Sequence, residues 1–237
     1  MKTYETRLKG SEEVADGTMA FHFDKPDGFR FKPGQAIDLI LDGLPAGDER
    51  HTFSIASAPG QDELVVATRM RDSAFKRALR GLAAGAPVKV EGPSGSLTLH
   101  GDAARAAVFI AGGIGITPFM SMLRHAAAEP SARQFTLIYS NRRPEDAAFL
   151  DELGKLAQSQ GNFRLAATMT QPGKSARQWD GARGQIDGAR IREVCGGLAA
   201  PVYYLAGPPA MVEGMREVLN EAGVSDDDIR SEEFFGY

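Results

Sequence analysis

The residues Ala111-Gly112-Gly113-Ile114-Gly115-Ile116-Thr117-Pro118 join three glycines to a Thr-Pro pair suited to opening a helix. Glycines let a backbone turn sharply and approach a large anion with no Cβ in the way. Thr117 can cap a helix, and Pro118 suits the first turn, where no amide hydrogen is needed. Free amides at a helix start, together with the positive end of its dipole, favour phosphate. The run follows Val108-Phe109-Ile110-Ala111, a continuous apolar stretch expected of a strand buried on both faces. It precedes a segment with Phe119, Met122, Leu123 and Ala126 on one helical side. A strand, a glycine turn and a helix in that order hold the pyrophosphate of a dinucleotide, with Gly112, Gly113, Gly115 and Thr117 as the contacts.

In dinucleotide folds an acidic residue ending the second strand holds the ribose hydroxyls of NAD. This chain reads Tyr139-Ser140-Asn141-Arg142-Arg143 at that place. Ser140, Arg142 and Arg143 suit a 2′-phosphate, because guanidinium offers paired donors to phosphate oxygens. The expectation is NADPH ahead of NADH.

The elements that must position these residues change character near residues 101–105. Before that point short alternating segments recur with turn signals between them: 18–23, 36–41, 53–57, 64–68 and 88–90. One stretch, Ser73 to about Arg80, reads as a helix capped by Ser73. Many short strands in about 100 residues suggest an antiparallel barrel or sandwich. Beyond Gly101 strands alternate with helices: strands at 108–111, 135–139, 163–167 and 202–205, helical faces at 149–157 and 211–222. That alternation predicts a parallel sheet covered by helices. Met211 and Met215 fall at core spacing. The expected fold is two domains, a β-domain over 1–103 and an α/β domain over 104–237.

Composition removes several function classes. The apolar fraction of 43% is enough to build cores, and the net charge is only −4. Nucleic-acid binding would ask for a strongly basic face. No apolar run approaches the roughly 20 residues needed to span a bilayer, so no membrane partner is expected. The polar start, Met1-Lys2-Thr3-Tyr4, lacks the apolar centre of a signal peptide, and the reading is cytoplasmic. With one cysteine, Cys195, and four histidines, no disulfide, iron–sulfur or zinc-type set is expected. Cys195 reads as a small buried apolar residue. Redox chemistry must therefore come from an organic cofactor.

Five short motifs in order resemble the ferredoxin–NADP reductase superfamily over nearly the whole chain. They are Pro33-Gly34-Gln35, Arg50-His51-Thr52-Phe53-Ser54-Ile55-Ala56-Ser57, Gly92-Pro93-Ser94-Gly95, the glycine loop, and Ala206-Gly207-Pro208-Pro209-Ala210-Met211. The resemblance implies a stand-alone enzyme without an iron–sulfur domain. It implies an antiparallel Greek-key β-barrel for a flavin, FAD ahead of FMN, followed by a parallel-sheet α/β domain for the nicotinamide. The flavin is expected against Arg50, His51, Thr52, Phe53 and Ser54, lined by Thr68, Arg69 and Met70, with its phosphates at the helix opened by Ser73. Gly207 and Pro208 are expected beside the nicotinamide. Ser54 and Thr117 are the candidates for orienting the two rings. The terminal Tyr237 is expected over the flavin, and Glu232 or Glu233 at the carboxamide.

The chain departs from the pattern in places. Phe53 stands where the family has Tyr, and Ala206 where it often has Cys. His51 occupies the usual arginine place, and Arg50 lies one residue further away. A one-residue shift in a strand reverses the face, so either a bulge re-aims Arg50 or His51 replaces it; charge favours Arg50. The implied activity is hydride transfer from a nicotinamide coenzyme to flavin, then to an external acceptor such as a ferredoxin or flavodoxin. Arg69, Arg71, Lys76, Arg77 and Arg80 form a basic stretch suited to docking an acidic one. The rival readings are a free-flavin or small-molecule reductase and a non-catalytic flavin-binding electron-transfer subunit. Oligomeric state is not legible.

Overall fold

A computed structural model describes residues 1–129 and 131–235. The chain forms two compact units: Met1–Thr98 with Thr117–Ala128, and Leu99–Ile116 with Glu129–Tyr237.

The first unit holds six antiparallel strands: β1 (Lys2–Ala15), β2 (Thr18–Asp24), β3 (Ala36–Ile40), β4 (Arg50–Ser54), β5 (Glu63–Arg69) and β6 (Pro87–Ser94). Their order is β4-β3-β6-β1-β2-β5, a Greek-key arrangement. A bridge from Ile55 to Val66 brings the two outer strands together, so the sheet curls into a barrel. Strand parity sends Phe21, Phe23, Ile37, Leu39, Leu64 and Val66 into one core. The helix α1 (Ala74–Gly81) adds Phe75 and Leu79 to it. Ser73 caps α1 as its composition predicts, its side chain accepting from the Lys76 amide at 3.2 Å.

A second helix, α2 (Thr117–Ala128), belongs to this unit. Ser121 Oγ donates to the Ser57 carbonyl at 2.6 Å, and Arg124 Nη1 to the Ala56 carbonyl at 2.9 Å. Gly34 turns the chain before β3 at φ +93°, and a Cβ there would collide with the Leu97 carbonyl and the Met122 methyl. That turn requires glycine on both counts.

In the second unit six strands are all parallel: β7 (Ala107–Gly112), β8 (Phe135–Asn141), β9 (Phe163–Met169), β10 (Ala182–Arg183), β11 (Val202–Gly207) and β12 (Ile229–Glu233). Their order is β10-β9-β8-β7-β11-β12. β7 and β11 are buried along their full length, the burial that their apolar runs predict. α3 (Leu150–Ser159) packs beside β9. α4 (Gly188–Cys195) and α5 (Pro209–Glu221) cover a core of Val108, Ile110, Ile138, Tyr203 and Leu205. Cys195 lies in that core, 5% exposed, and burial pushes its thiol up to about 11, so it packs as an inert apolar group. Among the described residues no helix is long and apolar enough to cross a membrane.

Candidate functional sites in the two units

The order of strands in the parallel sheet reverses at β7, with β8 on one side and β11 on the other. In open α/β sheets ligands bind outside the carboxyl ends of the strands at such a reversal. The three carboxyl ends there are Gly112, Asn141 and Gly207. Gly113–Ile116 forms one 3-10 turn, with Gly113 at φ +54°.

The glycines of this turn have packing reasons as well as ligand reasons. A Cβ on Gly115 would meet the Ala206 carbonyl oxygen, 2.5 Å from the Ala206 carbonyl carbon and 2.7 Å from the Gly207 nitrogen. All three are backbone atoms of β11 and cannot swing aside. A Cβ on Gly112 would meet the Met211 sulfur, with the Pro208 Cδ at 3.1 Å. Met211 thus fills the space that two glycines, 112 and 207, leave open. Pro208 precedes α5, and its carbonyl accepts from the Met211 and Val212 amides.

At the end of β8 the two arginines part company. Arg143 is engaged locally: Nε and Nη2 reach the two Asp146 carboxylate oxygens at 3.0 and 2.6 Å, and Nη1 lies 3.3 Å from Glu145. Arg142 is exposed and makes no ion pair among the described residues. Ser140 is half-buried beside it. Asn141 is only 6% exposed, and its Nδ2 has no hydrogen-bond partner among the described residues. A buried orphan donor is rare, and no spacing or charge pattern in the sequence singles Asn141 out. A hydrogen bond from Ser175 Oγ to Glu145, ahead of the other causes, holds the Glu145 carboxyl below the usual range. The same bond fastens the 171–177 loop beside the β8 terminus, as does the Gln171 amide donating to the Arg142 carbonyl at 2.7 Å.

In the barrel unit, strand parity divides the Arg50–Ser54 run. Arg50 Nη1 donates to Asp38 at 2.9 Å and Nη2 to Glu91 at 2.5 Å, and Thr52 Oγ1 donates to Asp38 at 2.6 Å. The hydrogen bond to Glu91, then that to Asp38, raises the Arg50 pKa. No bulge re-aims Arg50, because β3 and β4 pair without a register break. His51 and Phe53 occupy the opposite face. Both meet Phe75 of α1, with ring centroids 4.5 Å and 5.9 Å away. Ser54 is buried, 5% exposed. Thr68 is buried at the end of β5, and Met70 packs against the barrel core.

Two cations of the basic stretch are already occupied. Lys76 Nζ donates to the Arg69 carbonyl at 2.7 Å, and burial, then repulsion from Arg71, lowers its pKa. Arg77 pairs with Asp72. Arg71 and Arg80 are exposed.

Thr117 is buried, 1% exposed, and opens α2. Glu233 pairs with Gly207 in β12, and the Phe234 amide donates to the Gly207 carbonyl at 2.9 Å. That contact carries the aromatic tail to the carboxyl end of β11, where Phe235 is 79% exposed. Tyr237 lies outside the described residues.

Residues 109–217 match a family described as the oxidoreductase NAD-binding domain. Ferredoxin–NADP reductase B of Sorangium cellulosum is 32% identical over 231 residues, covering 93% of each chain. The chain belongs to the ferredoxin–NADP reductase superfamily. It is an NAD(P)H-dependent flavoprotein reductase of that kind. The reductase component of propane 2-monooxygenase from Rhodococcus jostii is 32% identical over 219 residues, and the chain spans 57% of its length. A ferredoxin NADP+ reductase of Neisseria gonorrhoeae, solved with FAD and NADP, superposes with a TM-score of 0.81 at 22% identity. It covers 99% of this chain and 100% of that one, and shows the same two-domain fold.

The residues of this reductase fit both groups that the family uses. Neither α1 nor α2 carries an acidic residue in its first turn, so no carboxylate there opposes a phosphate. The orphan Asn141 amide supplies an unsatisfied donor at the β8 terminus.

Proposed function

We propose that this reductase passes hydride from NADPH to FAD and electrons onward to an external acceptor, a ferredoxin or flavodoxin. The observation that carries the reading is the glycine turn at the strand reversal, where backbone amides and an acid-free helix start favour a pyrophosphate. Bound flavin supplies the redox chemistry, accepting two electrons as hydride and releasing them singly.

Everything else falls to the chain's own residues. Residues 1–103 would form the flavin domain and 104–237 the coenzyme domain. Phe53 packs the flavin, and Ser54 holds the ring edge. His51 serves its phosphates in place of Arg50, because His51 shares the Phe53–Phe75 face while Arg50 and Thr52 are turned to Asp38. Thr68, Arg69 and Met70 line the ring, and the α1 amides beyond Ser73 meet the phosphates. Gly112, Gly113, Gly115 and Thr117 hold the coenzyme pyrophosphate and orient the nicotinamide. Gly207 and Pro208 flank the nicotinamide. A cytoplasmic setting belongs to the same proposal, in keeping with a lone buried cysteine.

The NADPH preference rests on Arg142, with Ser140 beside it. Arg143 is committed to Asp146 and Glu145. The acceptor would dock at the basic stretch, through Arg71 and Arg80, by electrostatic steering. One assay tests both points: ferredoxin reduction driven by NADPH and by NADH, at low and high ionic strength. NADPH should be preferred, and rates should fall steeply with salt. Arg142→Ala should lower kcat/KM for NADPH about tenfold, the loss of one charge-assisted phosphate contact. Arg143→Ala should leave the preference between coenzymes in place. An Arg142→Ala enzyme with an unchanged preference would remove the NADPH assignment, and a salt-independent rate would remove the docking surface.

A further inference from the structure

Tyr139 lies in the middle of the coenzyme unit, fully buried at 0% exposure. Its hydroxyl stands 3.1 Å from the Gly113 carbonyl and 3.2 Å from the Ala148 carbonyl. Gly113 opens the glycine turn and is itself in a left-handed conformation at φ +54°. Ala148 closes the segment that begins with Arg142 and Arg143, just before Phe149 turns the chain into α3 at φ +60°. One phenolic O–H is therefore shared between two backbone carbonyls on two separate loops. A Tyr side chain has two torsions, both fixed by packing in a filled core, so its oxygen is a rigid reference point.

We infer that Tyr139 is a positioning residue for the coenzyme, its hydroxyl fixing the glycine turn and the 142–148 segment in register with each other. The inference rests on the proposal that these two loops hold the pyrophosphate and the adenosine end of the coenzyme. Neither loop touches the ligand through Tyr139 itself. The hydroxyl acts by holding the Gly113 peptide in the orientation that aims the following amides outward. Without it, the two carbonyls lose a shared donor, and the loops can settle independently. The cost then falls on binding of a ligand that bridges both, not on the hydride step.

The test is Tyr139→Phe, which keeps the ring and deletes only the oxygen. KM for NADPH should rise five- to tenfold, with kcat at saturation within twofold of wild type. The Kd for NADP+ by calorimetry, which needs no turnover, should rise by the same factor. Flavin content should stay at the wild-type value. A Kd within twofold of wild type, or a loss confined to kcat, would overturn the positioning role. Hydrogen exchange on the wild-type protein supplies a second measurement, independent of how the variant folds. NADP+ should slow exchange in residues 112–116 and in 143–149 together, and protection of one segment alone would overturn the coupling. A wild-type protein that binds neither NADP+ nor NAD+ would bring down the underlying reading, an outcome distinct from normal binding by Tyr139→Phe.

Discussion

Replacing Gly115 with alanine is expected to lower kcat/KM for NADPH by about 100-fold, equivalent to about 2.7 kcal/mol of transition-state stabilisation. The added methyl would run into the Ala206 carbonyl and the Gly207 nitrogen, backbone atoms of a fully buried strand. Neither can rotate away, so the 3-10 turn must lift off β11 and carry its amides with it. Overpacking of this sort costs about 1–3 kcal/mol in stability as well. Gly112→Ala is the instructive comparison. Its methyl meets the Met211 sulfur, the mobile part of a flexible side chain, so a loss below about tenfold is expected. Gly154→Ala, with nothing within 4 Å of the new methyl, should leave coenzyme kinetics unaltered. Steady-state kinetics on the three variants, with flavin content measured alongside, check the ranking. Equal losses in Gly112→Ala and Gly115→Ala would show that the β11 backbone does not set the turn.

The second large effect concerns flavin retention. His51→Ala is expected to raise the Kd for FAD about tenfold, whereas Arg50→Ala should stay within twofold of wild type. His51 lies edge-on to Phe75, one residue away from the face where Arg50 bridges Asp38 and Glu91. A guanidinium held by two carboxylates on one face of the strand is turned away from a phosphate on the other face. Titrating apoprotein with FAD by fluorescence quenching measures both variants. If Arg50→Ala releases the flavin and His51→Ala does not, the assignment of faces is wrong.

The glycine turn was legible because three local signals agree there: an unbroken apolar run, clustered glycines, and Thr-Pro opening a helix. The Arg50–His51 choice was not, since charge points one way and strand parity the other, and only the unbroken pairing of β3 with β4 shows that Arg50 stays on the Asp38 face. Arg143 illustrates the same limit. Asp146 lies three residues on, close enough to take two of the three guanidinium nitrogens, a local pairing that charge alone does not announce. β1 is illegible in the sequence for a different reason. Of its 14 residues only Thr6 and Leu8 are buried, so its alternation carries almost no hydrophobic signal. Arg133 shows what no sequence pattern reveals: it is 5% exposed, and its Nη2 donates to the His100 carbonyl at 2.7 Å. Spacing alone likewise does not announce the hydrogen bonds from Ser121 and Arg124 that tie α2 to the barrel.

Mixing NADPH with the FAD-loaded protein under anaerobic conditions, and following the visible flavin band, tests the central claim most directly. The band should bleach within one enzymatic turnover, in proportion to coenzyme added, and recover when a one-electron acceptor is supplied. A flavin that stays oxidised with both NADPH and NADH in excess would contradict the account.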